Sequence, residues 1–301
     1  MRHTLRILLA ILRLLPVVLA LAMVIPSSAV RPTTLSLIKV ETADGYDVGP
    51  DVVWVLVLGE DNVGDTDAIQ LLGIDVRTGA AAAIGFPRDT WVDLGGGHMD
   101  KINQAYKTGK AALAGSVVQD LVGIAPDYVL VTAGDGFVSM VDALGGVTVD
   151  SPLSFVTDDG RLNVTRGPNE FTGQEALEFA ATRRFPGPGD FTRSKNHQAL
   201  LLGLLEQLQS QDHEKGFLEM MALSALEGLD TNASPVDLYR LLNALTGVDP
   251  AKVEGCILVG TEDTDPRGNQ IIRPDRKLAQ RLGREVANDA TFENGCGPDQ
   301  P

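Results

Sequence analysis

Apolar runs and helix-spaced patterns alternate along most of the chain. The run that begins at Val52, VVWVLVLG, is apolar throughout and rich in β-branched residues, which is typical of a strand buried on both faces. Five more segments predict strands: AIQLLGID, AAAIGF, YVLVTA, VTVD and, as the last, EGCILVG. Because strands and helices interleave, the pattern predicts an α/β fold, a three-layer α/β/α sandwich around a mixed central sheet.

Helical spacing marks the segments between and after these strands. They are KAALAGSVVQDLVG, GDGFVSMVDALGG, TGQEALEFAATR, RSKNHQALLLGLLEQLQS, residues 217–228, residues 234–245 and DRKLAQRLGREVAN. Thr172, followed three residues later by Glu175, forms a capping-box signal at the start of one helix. Asp190 or Thr192 is the expected cap of the helix that contains RSKNHQALL.

The N-terminus carries a different pattern. A basic stretch, MRHTLR, precedes an apolar run that Arg13 and Pro16 interrupt, and a spanning helix needs about 20 apolar residues. We expect a single-pass membrane anchor with an extracytoplasmic domain, although Ser27 and Ala29 would allow cleavage and a secreted form. The predicted organisation is a cytoplasmic stub with anchor or signal at 1–29, a linker at 30–51, a catalytic-type domain at 52–288 and a tail at 289–301.

Composition and charge narrow the choice of partners. The hydrophobic share of 44% allows a sizeable core, and the formal net charge of -15 gives an acidic surface. Such a surface repels phosphate backbones, so we expect no nucleic-acid partner. The two cysteines, Cys256 and Cys296, either form a disulfide that ties down the C-terminal tail or remain two free thiols.

Carboxylates gather where the first strand ends. Gly59, Glu60 and Asp61 close that strand, and Asp65 and Asp67 come just before the second strand. Binding sites of open α/β sheets form at the carboxyl ends of strands, and Mg²⁺ usually takes one or two carboxylates together with substrate phosphates. The cluster is therefore either a site for Mg²⁺ or Mn²⁺ or an acidic surface turn.

Cations appear in nearby loops and helix starts of this acidic chain. Arg88 and Asp89 lie in GFPRDTWVDL, Lys101 lies in MDKINQAY, and Arg183, Arg184 and Arg193 lie in TRRFPGPGDFTR. An arginine fork can bond two phosphate oxygens at once, although a single arginine is more often a surface ion-pair partner. Together with the carboxylates, these cations indicate a metal-assisted pyrophosphate site.

An ordered set of motifs resembles the LytR–CpsA–Psr family. The segments are LVLGED, TDAIQLLGID, IGFPRDTWV, DKINQAY, DALGGVTVD, TGQEALEFAATR and GDFTR…HQALL, and they span most of residues 52–208. The resemblance implies a cell-wall transferase that moves a phosphoglycan from a polyprenyl-pyrophosphate-linked donor to a peptidoglycan hydroxyl and releases polyprenyl phosphate. It also implies that the lipid lies in an apolar channel of the core, with its pyrophosphate at the mouth.

The resemblance carries residue roles over by position. It implies that Asp61 and Asp67 hold the metal and that they and Arg88 are catalytic, because phosphoryl transfer depends mainly on charge neutralisation and positioning. A carboxylate near the metal could act as general base on the acceptor hydroxyl. The implied substrate-binding residues are Arg88, Asp89, Lys101, Arg183, Arg184, Arg193, His197 and Gln198. His197 lies one helical turn beyond Arg193 and is either a phosphate or acid–base group or a helix-surface histidine.

Two departures from the family pattern leave the activity open. Asp65 and Ala181 stand where the family usually has arginines, and Arg184 would substitute for the second loss. Each charge-assisted hydrogen bond is worth about 1.5–3 kcal/mol, although Asp65 would instead add a metal ligand. We prefer an active transferase; the alternative is a degenerate, non-catalytic paralogue that binds polyprenyl lipid or wall polymer. A transcriptional regulator is opposed by the acidic charge and by the absence of a basic helix-turn-helix pattern.

Overall fold

The computed structural model describes residues 51–61, 63–183, 189–211 and 217–297. The strands of this part are β1 (Val52–Glu60), β2 (Thr66–Asp75), β3 (Ala81–Gly85), β4 (Trp91–Asp93), β5 (Met99–Lys101), β6 (Tyr128–Ala133), β7 (Val147–Ser151), β8 (Phe155–Val156), β9 (Asn163–Val164), β10 (Gly167–Phe171), β11 (Leu229–Thr231), β12 (Val253–Ile257), β13 (Gly260–Thr264) and β14 (Gln270–Pro274). The helices are α1 (Gln104–Val122), α2 (Gly134–Ala143), α3 (Gly173–Ala181), α4 (Gly189–Ser210), α5 (Phe217–Gly228), α6 (Pro235–Thr246) and α7 (Arg276–Val286).

A six-stranded mixed sheet forms the centre of the fold. Its strand order is β11-β6-β1-β2-β3-β12. β1 pairs in parallel with β6, and β3 pairs in parallel with β12, whereas the other neighbours are antiparallel. The prediction of an α/β fold with a mixed central sheet is confirmed.

Successive side chains of β1 pack against helices on opposite faces of the sheet. Trp54, Leu56 and Leu58 belong to a core cluster with Val118 of α1 and Leu282 of α7. Val53, Val55 and Val57 pack instead with buried residues of α5 and α6. This two-sided burial explains why the strand is apolar from Val52 to Leu58, since each face is covered by helices.

The strand after EGCILVG corrects the sequence prediction. EGCILVG contributes β12, but it is not the last strand, because β13 and β14 follow as an antiparallel hairpin. Four of the five residues of β13 are exposed, and only Ile271 and Ile272 of β14 are buried. A hairpin with two buried apolar residues and mostly exposed polar ones has neither a continuous apolar run nor a clear alternation, so the sequence pattern does not indicate it.

The helix starts agree with the sequence in part. The capping box is confirmed, because the Thr172 and Glu175 side chains each bond the other's backbone N–H. α1 begins earlier than expected, at Gln104, and its helical geometry is interrupted at Gly109 and Lys110, where the predicted segment began. The capping role of Asp190 or Thr192 is wrong, since α4 already begins at Gly189.

The predicted single-pass membrane location also needs correction. Residues 1–50, which include the expected anchor or signal, lie outside the described residues. Within the described ranges, no helix combines the length and the apolar character that a bilayer crossing requires. The longest of them, α4, carries Asp190, Arg193, Lys195 and Glu206. We therefore withdraw the membrane location.

Cys256 and Cys296 form a disulfide, so the alternative of two free thiols is wrong. Cys256 lies in β12 and is fully buried, whereas Cys296 lies in the tail that follows α7. Ala290 and Phe292 of this tail are buried in the same core cluster as β1. The tail is therefore part of the packed core, and the disulfide joins it to the central sheet.

Candidate functional site

One edge of the central sheet collects the ends of several strands. Because β2 runs antiparallel to both β1 and β3, its start meets the ends of β1, β3, β6 and β12 at this edge. Asp61 follows β1 directly, and Asp67 is the second residue of β2. Arg88 follows β3 closely, and Arg193 lies near the start of α4. Residues that are far apart in sequence thus share one region.

Asp67 lies at the centre of a group of arginines. Its Oδ1 accepts a hydrogen bond from Arg88 Nη1 at 2.7 Å, and its Oδ2 accepts one from Arg193 Nη1 at 3.0 Å. Arg183 Nη2 lies 3.7 Å from the same Oδ2. The structure therefore brings together four of the residues to which the sequence assigned a site role.

Asp190 joins the arginines from another direction. Its Oδ1 accepts a hydrogen bond from Arg193 Nη2 at 2.9 Å and lies 3.9 Å from Arg88 Nε. Asp67, Arg88, Asp190 and Arg193 thus alternate in charge around a closed circuit, which we call the charged ring. Sequence reasoning gave Asp190 no role in the site. The signal that could have found it is its position three residues before Arg193 on one helix face.

Asp89 and Lys101 lie beside the charged ring. Lys101 Nζ is 2.7 Å from Asp89 Oδ1, and Asp89 Oδ1 is 3.9 Å from Arg88 Nε. The negative charge of Asp89 also acts on Asp190 and raises the pKa of that carboxyl. Arg88 Nε is buried and has no hydrogen-bond partner among the described residues. A buried donor of this kind calls for a partner such as an ordered water or a ligand oxygen.

Burial and neighbouring charges shift the pKa values within the charged ring. Burial lowers the pKa of Arg193 against the pull of Asp67 and Asp190, yet an arginine stays charged at neutral pH. Burial opposes charge on Arg88 as well, but the hydrogen bond and charge of Asp67 raise its pKa overall. Burial raises the pKa of Asp190; the charge of Arg193 lowers it and that of Asp89 raises it, with a net increase.

A cavity of about 340 Å³ opens beside the ring. Its charged lining residues, Glu60, Asp61, Asp67 and Arg193, belong to the strand edge described above. The rest of the lining is almost wholly apolar and includes Val57, Ala68, Phe137, Leu177, Leu200 and Leu204. The apolar walls suit an apolar ligand body. The charged end carries three carboxylates and one arginine, so it takes an anionic group only with the help of a cation or of the neighbouring arginines.

Asp61 and Asp67 supply the carboxylate oxygens that a hard divalent cation prefers. Asp61 Oδ1 accepts hydrogen bonds from the backbone N–H groups of Val63 and Asp65, at 2.9 Å each, which orient the carboxylate. Among the described residues, no three His, Cys, Asp or Glu side chains are grouped to hold a metal ion. The donor set fits Mg²⁺ bound by two carboxylates and completed by phosphate oxygens.

The two departures from the family pattern occupy different surroundings. Asp65 is not a cavity-lining residue, and its Oδ1 lies 2.9 Å from Lys107 Nζ. Its charge is thus already balanced by a lysine that sequence reasoning did not single out. Ala181 does line the cavity, where its methyl group extends the apolar wall.

His197 is buried, so its interpretation as a helix-surface histidine is wrong. Its Nε2 lies 3.2 Å from the carbonyl oxygen of Ala180, which can only accept; Nε2 therefore carries the proton. Burial lowers the pKa of His197 to about 3, and the charge of Arg193 acts in the same direction. The imidazole is neutral at neutral pH and does not offset phosphate charge.

Gln198 is turned away from the cavity. Its Nε2 donates to Gln70 Oε1 at 3.2 Å and to the carbonyl oxygen of Cys256 at 3.1 Å. Gln198 is not a lining residue, because one step along a helix of 3.6 residues per turn rotates it away from His197. Arg184 lies outside the described residues.

The fold and the site define an α/β protein whose apolar cavity opens beside a cluster of arginines and carboxylates. The model of the LytR_cpsA_psr family matches residues 33–287. The chain belongs to this family.

Named relatives and solved structures agree with this assignment. A polyisoprenyl-teichoic acid–peptidoglycan teichoic acid transferase, TagU of Bacillus cereus (strain AH820), is 30% identical over 194 residues, which cover 63% of each chain. TagV of Bacillus subtilis (strain 168), which bears the same transferase name, is 26% identical over 74% of this chain and 59% of its own length. The matches thus span about three-fifths of these curated relatives.

Two solved structures show the same fold. B. subtilis TagV superimposes with a TM-score of 0.67 and 24% identity, covering 76% of this chain and 96% of that chain. A structure of TagT bound to LIIa-WTA gives a TM-score of 0.67 at 23% identity, covering 81% of this chain and 93% of that chain. At these identities the likeness concerns the fold alone.

Proposed function

We propose that this chain is a phosphotransferase of cell-wall assembly. It takes an anionic glycopolymer from a polyprenyl-pyrophosphate carrier and attaches it to a peptidoglycan hydroxyl. Family membership and the transferase names of TagU and TagV support the reaction class. The observation that carries the proposal is the apolar cavity with Asp61, Asp67 and Arg193 in its wall, because its two chemistries suit a lipid and its pyrophosphate.

In this proposal the lipid occupies the cavity, and the pyrophosphate lies beside the charged ring at the edge of the sheet. The domain is taken as residues 52–288, a three-layer α/β/α sandwich in which the lipid lies between the sheet and one helical layer. Arg88, Arg183 and Arg193 bind phosphate oxygens, and Lys101 and Asp89 support Arg88. His197 contributes a neutral wall, and Gln198 is left out because its amide bonds to the protein interior.

The transfer step exchanges one phosphorus–oxygen bond for another. The acceptor hydroxyl oxygen attacks the phosphorus that carries the glycan, the bond from this phosphorus to the bridging oxygen breaks, and polyprenyl phosphate leaves. The hydroxyl proton passes to a carboxylate at this edge of the sheet, Asp61 or Asp67. Mg²⁺ or Mn²⁺ held by Asp61 and Asp67 would neutralise charge on the pyrophosphate.

A transfer assay with the full-length chain tests this proposal. It is given a polyprenyl-pyrophosphate-linked glycan and peptidoglycan fragments with Mg²⁺, and release of polyprenyl phosphate is measured. Asp67→Ala removes the acceptor shared by the arginines and one metal ligand, so transfer should fall by about two orders of magnitude or more. The control is Asp263→Ala, which breaks a strand aspartate's ion pair with Arg273 on the β13–β14 hairpin and should leave transfer unchanged.

The same assay decides between transferase and binding protein. Metal-dependent release by the wild type that disappears in Asp67→Ala establishes transfer and shows that Asp65 and Ala181 are tolerated. Lipid binding without any release would instead favour the non-catalytic paralogue, with Ala181 in the cavity wall as its physical basis. A chain that neither releases polyprenyl phosphate nor binds the lipid would refute the proposal.

A further inference from the structure

Asp190 is a largely buried carboxylate in contact with the two best-anchored arginines of the site. Its side chain is 13% exposed, and Arg193, to which it bonds, is 3% exposed. Asp67 and Arg193 line the cavity, whereas Asp190 does not. Arg193 is thus held by Asp67 on the cavity side through Nη1 and by Asp190 away from the cavity through Nη2.

The two anchors of Arg193 differ in what a ligand does to them. A pyrophosphate that enters from the cavity brings oxygens that compete with Asp67 for the same guanidinium donors, since both are anionic acceptors. A divalent cation on Asp67 would compete with the arginines for its oxygens. Asp67 lines the cavity and Asp190 does not, so a ligand that enters from the cavity competes first with Asp67 for Arg193. The hydrogen bond between Asp190 and Arg193 Nη2 can therefore persist while Nη1 changes partner.

We infer that Asp190 is a positioning residue of the pyrophosphate site, which holds Arg193, and Arg88 at longer range, while Asp67 yields them to the ligand. The inference rests on the proposed function and adds a residue to which neither the family motifs nor the comparisons gave a role. Asp190 acts through the arginines, and it does not touch the reacting atoms.

The neighbours of Asp190 support a charge-dependent role. Asp89 is the other carboxylate beside Arg88, and Lys101 Nζ lies 2.7 Å from it. Arg88 Nε lies 3.9 Å from both carboxylates and has no hydrogen-bond partner among the described residues. Asp190 thus faces Arg88, Arg193 and Asp89. A neutral residue at position 190 would leave Asp67 as the one carboxylate in contact with Arg193 among the described residues.

Substitutions that separate charge from shape test the inference. Binding of geranylgeranyl pyrophosphate with Mg²⁺ to the full-length chain is measured by calorimetry for the wild type and for Asp190→Asn, Asp190→Glu and Asp190→Gln. Asn keeps the shape of Asp without its charge, and Glu and Gln have equal length but differ in charge. If charge holds the arginines, the affinity of the Asp190→Glu variant for the probe should stay within a few-fold of the wild type. The Asp190→Asn and Asp190→Gln variants should bind the probe about tenfold more weakly than the wild type.

A matched control lies in α6. Asp237 also lies in the first turn of its helix and pairs with an arginine three residues later, Arg240, at 3.7 Å. Asp237→Asn should leave binding within about twofold of the wild type. Melting curves establish that each variant is folded before its affinity is compared.

The order of affinities decides the outcome. The inference would be overturned if the Asp190→Asn and Asp190→Gln variants bound the probe as tightly as the Asp190→Glu variant. It would also be overturned if Asp190→Asn bound better than Asp190→Glu, because shape rather than charge would then matter. If neither uncharged variant folds, NMR signals of the Arg193 guanidinium decide: they should keep their hydrogen-bonded shift when the probe binds to the wild type, and its loss would overturn the inference. A wild type that does not bind the probe would count against the proposed function itself.

Discussion

His197 shows how a single buried residue connects the site to stability. The folded chain keeps its imidazole neutral down to a pKa of about 3, whereas the unfolded chain binds a proton near the ordinary value of 6.5. Above pH 6.5 both states are neutral. As the pH falls below 6.5, only the unfolded state gains a proton, and the free energy of unfolding should decrease by up to about 1.4 kcal/mol per pH unit.

Urea denaturation of wild type and His197→Gln between pH 7 and pH 5 measures this effect. The glutamine cannot titrate, so its unfolding free energy should be flatter over this range, in which most carboxylates stay ionised. His98→Gln, at an exposed histidine of the β4–β5 loop, is the matched control and should keep the wild-type slope. Parallel slopes for wild type and His197→Gln would contradict the buried neutral imidazole.

The sequence predicted those candidate site residues that lie next to the end or the start of a strand. Asp61, Asp67 and Arg88 follow from the rule that sites form at the carboxyl edge of the sheet. Lys107 was missed because it becomes informative only through Asp65, a partner on another element. The spacing of Asp190 to Arg193 along one helix was a signal, but its proximity to Arg88 on another segment was not. Spacing along one chain segment does not set such distances.

At the scale of elements, the crossing of α7 over α1 depends on a glycine. A β-carbon added at Gly283 would overlap the carbonyl oxygen of Val122, so the helices approach closely only without a side chain there. Glycine to alanine in a helix ordinarily stabilises by roughly 0.5–1 kcal/mol. Here overpacking of about 1–3 kcal/mol should outweigh that gain, and Gly283→Ala should be destabilising.

Denaturant unfolding of Gly283→Ala checks this sign. Lys277→Ala, at an exposed position of the same helix, serves as the control and should change the unfolding free energy by less than about 0.5 kcal/mol. A Gly283→Ala variant as stable as the wild type would show that the two helices move apart without loss.

Elements also differ in how far sequence predicts them. β1 was recognised because both of its faces are buried, which requires a continuous run of apolar residues. The β13–β14 hairpin was missed because most of its residues face solvent. The break in α1 at Lys110, which has a φ of 56°, left only the second half of the helix visible as a pattern. The cavity followed from family resemblance, since a hydrophobicity pattern does not distinguish a filled core from one with a channel.

At the scale of the whole molecule, the disulfide closes the fold around its C-terminal part. Cys256 and Cys296 are 40 residues apart, and the loop between them contains β13, β14 and α7. In the chain-entropy view, a link over a loop of this length restricts the unfolded state by about 4 kcal/mol. The carbonyl oxygen of Cys256 also accepts a hydrogen bond from Gln198, so β12 connects the linked tail to the helix that carries Arg193.

Reduction of this bond should therefore weaken the fold while leaving the site residues in place. Urea denaturation with and without a reductant should show a loss of up to about 4 kcal/mol in unfolding free energy for the wild type. The double variant Cys256→Ser with Cys296→Ser, which lacks the link, should show no dependence on reductant and a stability near that of the reduced wild type. Equal stability of oxidised and reduced wild type would mean that the buried contacts of Ala290 and Phe292 already hold the tail, and that the covalent link adds nothing to them.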